Sequence, residues 1–176
     1  MEHFKIHKVK NTEDLYFAEF WRIYTESFPN NEKRTKEQQI EIFKKPEYQL
    51  YIYLSDIQVV GFNAFWTAGE FVFIEHLAVA PEVRGKGLGS LILKPFVESK
   101  TIPVILEIDI PIDELTFRRL KFYESLGFVK NEYIHFMPPY DLGDKPLRLQ
   151  ILTYPTGISV NLYNQFARFQ NEIVMV

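Results

Sequence analysis

Apolar positions recur along the chain with two periods, and the places where one period gives way to the other mark out a continuous α/β succession. A strand is predicted over Phe4 to Val9, followed by a helix in which Phe17, Phe20, Trp21, Tyr24 and Phe28 recur at helical spacing and face the core. Asn30 to Lys36 is polar and reads as a loop, and Glu37 to Lys44 as a second short helix that stops before Pro46. Tyr48 to Leu54 then alternates in the β manner, Ser55-Asp56 supplies a turn, and Val59 to Thr67 reads as the returning strand. Ala68-Gly69 turns the chain into Phe71 to Val79, which completes an antiparallel meander. A glycine-rich turn, Arg84-Gly85-Lys86-Gly87-Leu88-Gly89, opens into an amphipathic helix. Pro95 lies inside that helix and removes one backbone bond, which predicts a kink or an early end. Ile102 to Ile110 reads as a buried strand, and Asp113 to Leu126 as a helix capped by Gly127. Phe128 to Met137 and Leu147 to Tyr154 read as a final hairpin, and Leu162, Phe166, Phe169 and Ile173 as a C-terminal helix.

Composition narrows the classes. With 176 residues, 47% of them apolar, and no internal repeat or low-complexity linker, the chain is expected to form one domain spanning residues 1–176. A net charge of −3, with lysines and arginines scattered rather than massed, gives no electrostatic case for nucleic acid or an anionic membrane. There is no cysteine, so disulfides and thiolate zinc sites are excluded, and four dispersed histidines argue against a dedicated metal site. Met1-Glu2-His3-Phe4-Lys5 lacks the apolar core of a signal peptide, and no uninterrupted apolar run is long enough to span a bilayer. The cytoplasm is the expected compartment.

The glycine-rich turn carries the first chemistry. Glycines let the backbone bend tightly against a ligand, so that the first amides of the following helix, which have no carbonyl partner, point at phosphate oxygens. The helix macrodipole favours the same negative charge. Such a turn by itself is often only a strand-to-helix connection. A Walker A loop ends in Gly-Lys-Ser/Thr, whereas Lys86 is followed by Gly87, and a dinucleotide fingerprint needs G-x-G-x-x-G, whereas Gly85, Gly87 and Gly89 are spaced G-x-G-x-G. The pattern that fits is R-x-x-G-x-G, at Arg84, Gly87 and Gly89. Together with the preceding His76-Leu77-Ala78-Val79-Ala80-Pro81, it resembles the acyl-CoA loop of the GNAT N-acetyltransferases. A second stretch, Phe117 to Phe128 (FRRLKFYESLGF), resembles the penultimate helix of that family with its Phe-Tyr-Glu-x-x-Gly-Phe ending. The order of elements also matches, so the resemblance runs from Phe4 to about Tyr154. It implies a central mixed, mostly antiparallel twisted sheet flanked by helices, with acetyl-CoA as acyl donor and no metal.

Acetyl transfer requires an acceptor amine to lose a proton, an oxyanion to be stabilised and a departing thiolate to be protonated. The resemblance places the Tyr123 hydroxyl near the thioester sulfur as proton donor, and a backbone N–H near Leu77 to Val79 at the oxyanion. It implies cofactor contacts from Leu77, Ala78, Val79, Arg84, Gly85, Lys86, Gly87, Leu88, Gly89, Ser90, Thr116 and Tyr123. Thr116 stands where many family members have an Asn, so one amide contact is replaced or lost, although a threonine still donates one hydrogen bond. Glu75, in an otherwise apolar strand, is the candidate proton acceptor, directly or through a water, since apolar flanks raise a carboxylate's pKa. It has an alternative reading, in which it faces solvent or orients the acceptor. Some family members carry the base two residues earlier, where this chain has Phe73. Glu107 is the reserve candidate, and strand alternation turns His76 away from Glu75.

In the family the acceptor site is lined by the segments corresponding here to Glu26-Ser27-Phe28-Pro29 through Arg34, and to Pro138-Pro139-Tyr140-Asp141. Trp21, Tyr24, Phe28, Phe65, Trp66 and Tyr140 either form an apolar pocket or cage there or belong to the core. Glu26, Glu32 and Asp141 are acids that attract a cationic amine. The expected activity is direct acetyl transfer to a primary amine of a small molecule or peptide, because there is no cysteine to carry an acyl intermediate. The alternative is a non-catalytic acyl-CoA-binding regulatory module of the same fold. Family members are often dimers, which gives a homodimer as the expected assembly, and the apolar segment Ile173 to Val176 pairs with another subunit or covers its own sheet edge.

Overall fold

The computed structural model describes residues 4–175. Met1 to His3 of the N-terminal pentapeptide and Val176 at the end of the apolar C-terminal segment lie outside the described residues. The fold is α/β, a mixed, mostly antiparallel sheet flanked by helices, and the chain divides into two compact units.

The first unit comprises the described residues up to Thr67 together with Ile74–Ser99. It holds β1 (Lys5–Val9), α1 (Phe17–Ser27), α2 (Lys36–Ile42), β2 (Tyr48–Ser55), nearly all of β3 (Gln58–Ala68), most of β4 (Phe71–Val79) and α3 (Leu88–Glu98). Strand order is β1-β2-β3-β4, with β1/β2 and β2/β3 antiparallel. The register of β2 against β3 shifts between Tyr53 and Leu54, which leaves Val60 as an extra residue and twists the strand locally. One face of β3 meets α1: Phe62 stands edge-on to Phe20 at 4.9 Å, and both are buried. The other face meets α3, where Phe65 packs on Phe96 at 4.8 Å. Of the α1 aromatics expected in the core, Phe17, Phe20 and Tyr24 are buried, whereas Trp21 and Phe28 are half-buried. Thr35 starts α2 with a capping box, accepting from the Gln38 amide at 3.2 Å while its own amide donates to Gln38 Oε1 at 2.8 Å. Pro95 does not end α3, which runs on to Glu98. Pro95 and Leu91 are both exposed, so the carbonyl deprived of its helical donor is left on the wet side.

The second unit comprises Ala68–Phe73 and the described residues from Lys100 onward. It holds the start of β4, β5 (Val104–Asp109), α4 (Glu114–Ser125), β6 (Val129–Lys130), β7 (His135–Met137), β8 (Leu147–Tyr154) and α5 (Val160–Phe169), which continues as a π-helical turn over Gln170–Val174. Val72 donates to the Pro103 carbonyl at 2.9 Å, and β8 pairs antiparallel with β5, β6 and β7. The first arm of the predicted hairpin is therefore two short strands. The Asn131 amide nitrogen donates to Thr153 Oγ1 at 2.8 Å, spending a side chain on the partner strand where the ladder breaks. Phe166 of α5 is fully buried against Phe71 and Phe73.

Candidate active site

The glycine-rich turn has the backbone that its sequence demands. Gly85 and Gly87 adopt φ of 80° and 75°, which an L-residue resists, and a Cβ at either would meet nothing within 4 Å. The glycines thus serve conformation rather than space. Gly87 is the N-cap of α3, and its carbonyl takes the amides of Ser90 and Leu91, so the first amides of the helix remain at an open end. Arg84, Gly85, Lys86 and Gly87 are exposed, Leu88 is buried, and Gly89 and Ser90 are half-buried. An accessible turn with two cationic side chains and an open helix N-terminus fits a diphosphate. Arg84 is itself folded back, donating through Nε to the Val79 carbonyl at 3.0 Å and through Nη2 to Ser27 Oγ at 2.8 Å. That brings two of the predicted cofactor-contacting residues together and ties the end of α1 to the turn.

On β4, Leu77 and Val79 are half-buried and Ala78 is buried. The Glu75 carboxylate is committed on both oxygens: Oε1 lies 2.7 Å from Arg34 Nη2, with both side chains 2% exposed, and Oε2 accepts from Trp66 Nε1 at 2.7 Å. Arg34 also lies over the Trp66 ring, and its backbone amide donates to the Tyr24 hydroxyl oxygen at 2.8 Å. His76 donates from Nε2 to the Glu32 carbonyl, 2.8 Å away, and stands edge-on to Tyr24 and Phe28. Glu75 and His76 therefore both contact the connection between α1 and α2, Glu75 through Arg34 and His76 through the Glu32 carbonyl. Burial lowers the His76 pKa from its ordinary value; Arg34 adds to that, against an opposing pull from Glu75 and the Glu32 carbonyl. Burial likewise raises the Tyr24 and Tyr48 hydroxyls, with Arg34 partly opposing, so both remain neutral hydrogen-bonding groups.

In the second unit, Tyr123 is half-buried on α4, edge-on to Phe128 at 5.6 Å. Burial raises its hydroxyl pKa and Arg119 partly opposes that, so it holds its proton through neutral and mildly alkaline pH. Thr116 is spent on a capping box. Its amide and hydroxyl donate to Asp113 Oδ1 at 2.9 and 2.8 Å, and its oxygen accepts from the amides of Ile112 and Asp113. The hydroxyl donor that a cofactor contact would use is thereby directed to Asp113. Of the acceptor-lining segments, Glu26 to Arg34 belongs to the first unit and Pro138 to Asp141 to the second. Asp141 closes its own turn, accepting from the Gly143 amide at 3.1 Å. Among the described residues no group of three or more His, Asp or Glu is arranged to hold a metal ion, and no helix is long and apolar enough to cross a membrane.

The burial of Arg34 was not foreseen, because it sits in a polar stretch with no periodicity. His135, Tyr163 and Gln170, which gather around Glu107, were also missed. The signal available for them was the carboxylate in an apolar strand, which calls for partners without naming them.

Comparisons with known proteins bear on the family and the fold. A family model described as an acetyltransferase (GNAT) domain matches residues 46–130, which include the glycine-rich turn and Tyr123. A solved structure from Bacteroides thetaiotaomicron, ascribed to the GNAT acetyltransferases, is 27% identical, with a TM-score of 0.90 over 97% of this chain and 98% of that one. The Bacillus subtilis protein YjbC, a candidate acetyltransferase, is 30% identical over 107 residues, covering 59% of this chain and 53% of its own length. The chain thus spans about half of that curated relative. A GNAT acetyltransferase from Elizabethkingia anophelis with acetyl-CoA bound shares the fold at 15% identity and a TM-score of 0.56, over 87% of this chain and 98% of its own. Fold, matched residues and relatives converge on the GNAT acetyltransferases, whose domain model matches residues 46–130 of this chain.

Proposed function

We propose that the protein is an acetyl-CoA-dependent N-acetyltransferase that moves an acetyl group directly to a primary amine of a small molecule or peptide, with residues 1–176 acting as one catalytic domain. The observation that carries this reading is the Arg84 to Gly89 turn, whose two positive-φ glycines and open helix end suit a diphosphate. It is supported by the acetyl-CoA present in the Elizabethkingia relative. The turn's amides from Gly85 through Gly89 hold the diphosphate of coenzyme A, with Arg84 and Ser90 flanking them. When bound, acetyl-CoA supplies its acetyl group as a thioester. The Leu77 to Val79 stretch of β4 offers backbone N–H to the developing oxyanion. Arg84 holds the peptide plane after Val79 by its bond to that carbonyl. Tyr123 keeps its proton, because burial raises its pKa, and gives it to the departing sulfur. Thr116 contributes by starting α4, the helix that carries Tyr123. Glu75, with both oxygens taken, is assigned the positioning of Arg34 and Trp66 rather than proton abstraction.

The test is calorimetric titration with acetyl-CoA, coenzyme A and ATP, followed by an amine screen for thiol release. Selective acetyl-CoA binding with amine-dependent release is expected. Tyr123→Phe should bind acetyl-CoA like the wild type and turn over about 10- to 100-fold more slowly, the scale of a lost general acid. Binding without release for any amine would favour a non-catalytic module, and unchanged turnover in Tyr123→Phe would remove the tyrosine from the mechanism.

A further inference from the structure

The second unit contains a buried polar cluster with no part in the mechanism above. Glu107, on β5, keeps 7% side-chain exposure and is paired with His135 of β7, whose side chain is 2% exposed. His135 donates from Nε2 to Glu107 Oε1, and Gln170 donates from Nε2 to the same oxygen at 2.8 Å. The half-buried Tyr163 hydroxyl lies 3.1 Å from His135 Nδ1 and donates to the Ile134 carbonyl at 3.3 Å. Tyr163 is in turn stacked flat on Tyr133, with centroids 4.3 Å apart. Each layer holds the one inside it: Tyr163 holds the ring of His135 from its Nδ1 edge, and His135 with Gln170 holds the carboxylate. Among the described residues, the donors that reach Glu107 converge on Oε1, which leaves Oε2 as the oxygen available to a ligand.

Two features set this cluster apart from an ordinary buried pair. Gln170 is 1% exposed, and among the described residues its Oε1 has no hydrogen-bond partner. Reversing the amide would give Oε1 no donor and would turn it toward the carboxylate, so the orphan follows from spending Nε2 on Glu107. Gln170 is also the first residue of the π-helical turn that ends α5, an irregularity that is rare and concentrated at functional positions. The fold thus accepts an unsatisfied amide oxygen and an irregular turn, and both leave one carboxylate oxygen held from two sides.

We propose that Glu107 is the proton acceptor of the transfer, acting through Oε2, with His135, Gln170 and Tyr163 as its positioning residues. The assignment rests on the N-acetyltransferase reading. As the amine nitrogen bonds to the acetyl carbon and the C–S bond breaks, the nitrogen's surplus proton passes to Glu107 Oε2 and the departing sulfur takes the Tyr123 proton. Exchange with water afterwards removes the proton from Glu107 and restores that of Tyr123. The acceptor this suits is a primary amine whose ammonium form has already released one proton to solvent, so that the neutral nitrogen attacks and Oε2 takes the proton that the attack makes surplus.

The experiment measures turnover of Glu107→Gln and Glu107→Asp with an amine that supports thiol release by the wild type, alongside acetyl-CoA titration of each variant. Glu107→Gln should lose about 100- to 10,000-fold in kcat, the scale of a removed general base, with cofactor affinity unchanged. Glu107→Asp keeps the charge but withdraws both carboxylate oxygens by about one C–C bond, ~1.5 Å, and should lose about 10- to 100-fold. His135→Gln, which retains a donor toward Oε1, should keep more kcat than His135→Leu at unchanged KM, a difference that a purely structural role would not produce. Turnover of Glu107→Gln or Glu107→Asp within threefold of the wild type would overturn this assignment alone. A wild type that binds no acetyl-CoA, or that releases thiol with no amine, would overturn the acetyltransferase reading and this assignment with it.

Discussion

Replacing Glu75 by Gln tests the buried framework of the first unit most directly. Glu75 and Arg34 are each 2% exposed and 2.7 Å apart, so solvent screening that reduces surface pairs to about 0–1 kcal/mol is absent. The amide is nearly isosteric and still offers an acceptor to Trp66 Nε1, now 2.7 Å from Oε2. What it removes is the anion beside a guanidinium that cannot shed its proton. Breaking one side of a buried pair costs about 3–5 kcal/mol, because the surviving charge is left uncompensated. For a protein whose total stability is of the order of 5–15 kcal/mol and whose Tm moves by about 2–4 °C per kcal/mol at this length, the expected loss is about 6–20 °C. Arg34→Met should lose less, because a stranded carboxylate can take up a proton. The double variant Arg34→Met/Glu75→Leu should recover most of the loss, as apolar replacements of whole buried pairs do. Urea unfolding of the wild type, Arg34→Met, Glu75→Leu and the double variant closes a double-mutant cycle. A Glu75→Gln loss below about 1 kcal/mol, or a coupling near zero, would refute the claim that this pair organises the α1–α2 connection. Turnover of the same set separates anchoring from proton abstraction. If the double variant regains stability yet loses about 100-fold or more in kcat, the role of proton acceptor returns to Glu75.

Two further outcomes follow from the same unit. Gly61→Ala would place a Cβ 2.7 Å from the Ala78 carbonyl oxygen and 3.0 Å from Ile92 Cδ1; backbone cannot yield as a side-chain tip can, so thermal melts should show a loss of about 1–3 kcal/mol. His76 has a pKa below its ordinary value of 6.5, chiefly through burial, so below about pH 6.5 the unfolded chain takes up a proton that the folded chain resists. Stability from this group is therefore full above that pH and is lost as the pH falls through it, and urea midpoints should decline more steeply in the wild type than in His76→Gln. Equal slopes in the two proteins would remove His76 from the acid response.

Much of the fold was legible because its determinants are local. The meander between Tyr48 and Val79 follows from alternation and two turns, and the phosphate turn from glycines at positions that need φ near 80° and 75°. The second α4 motif was legible as a run of residues, but its Thr116 was read toward a ligand when a capping box claims the hydroxyl. β7 inverted the ordinary reading. Ile134 and Phe136, the apolar pair, are 73% and 52% exposed while His135 is buried, because Glu107 and Tyr163 supply polar partners that the local pattern does not contain. A one-residue shift of period then turns every side chain to the other face.

The two unusual acids, Glu75 and Glu107, show where such reading stops and what geometry adds. Each stands in an apolar strand, and the sequence puts Glu75 first and Glu107 in reserve as candidates for proton chemistry. Their partners come from distant segments: Arg34 from the α1–α2 connection for Glu75, and His135 and Gln170 from β7 and the end of α5 for Glu107. Spacing along the chain carries no information about those pairings. The difference in how their oxygens are engaged is what separates their chemistry. Protonating Glu75 would remove the charge that pairs with Arg34 and displace the donor on whichever oxygen takes the proton, so its geometry resists the change that a base must undergo. Protonating Glu107 at Oε2 leaves both donors on Oε1 in place, so the same arrangement serves before and after the proton arrives. A carboxylate held on one oxygen is thereby suited to turnover, and one held on both is suited to architecture.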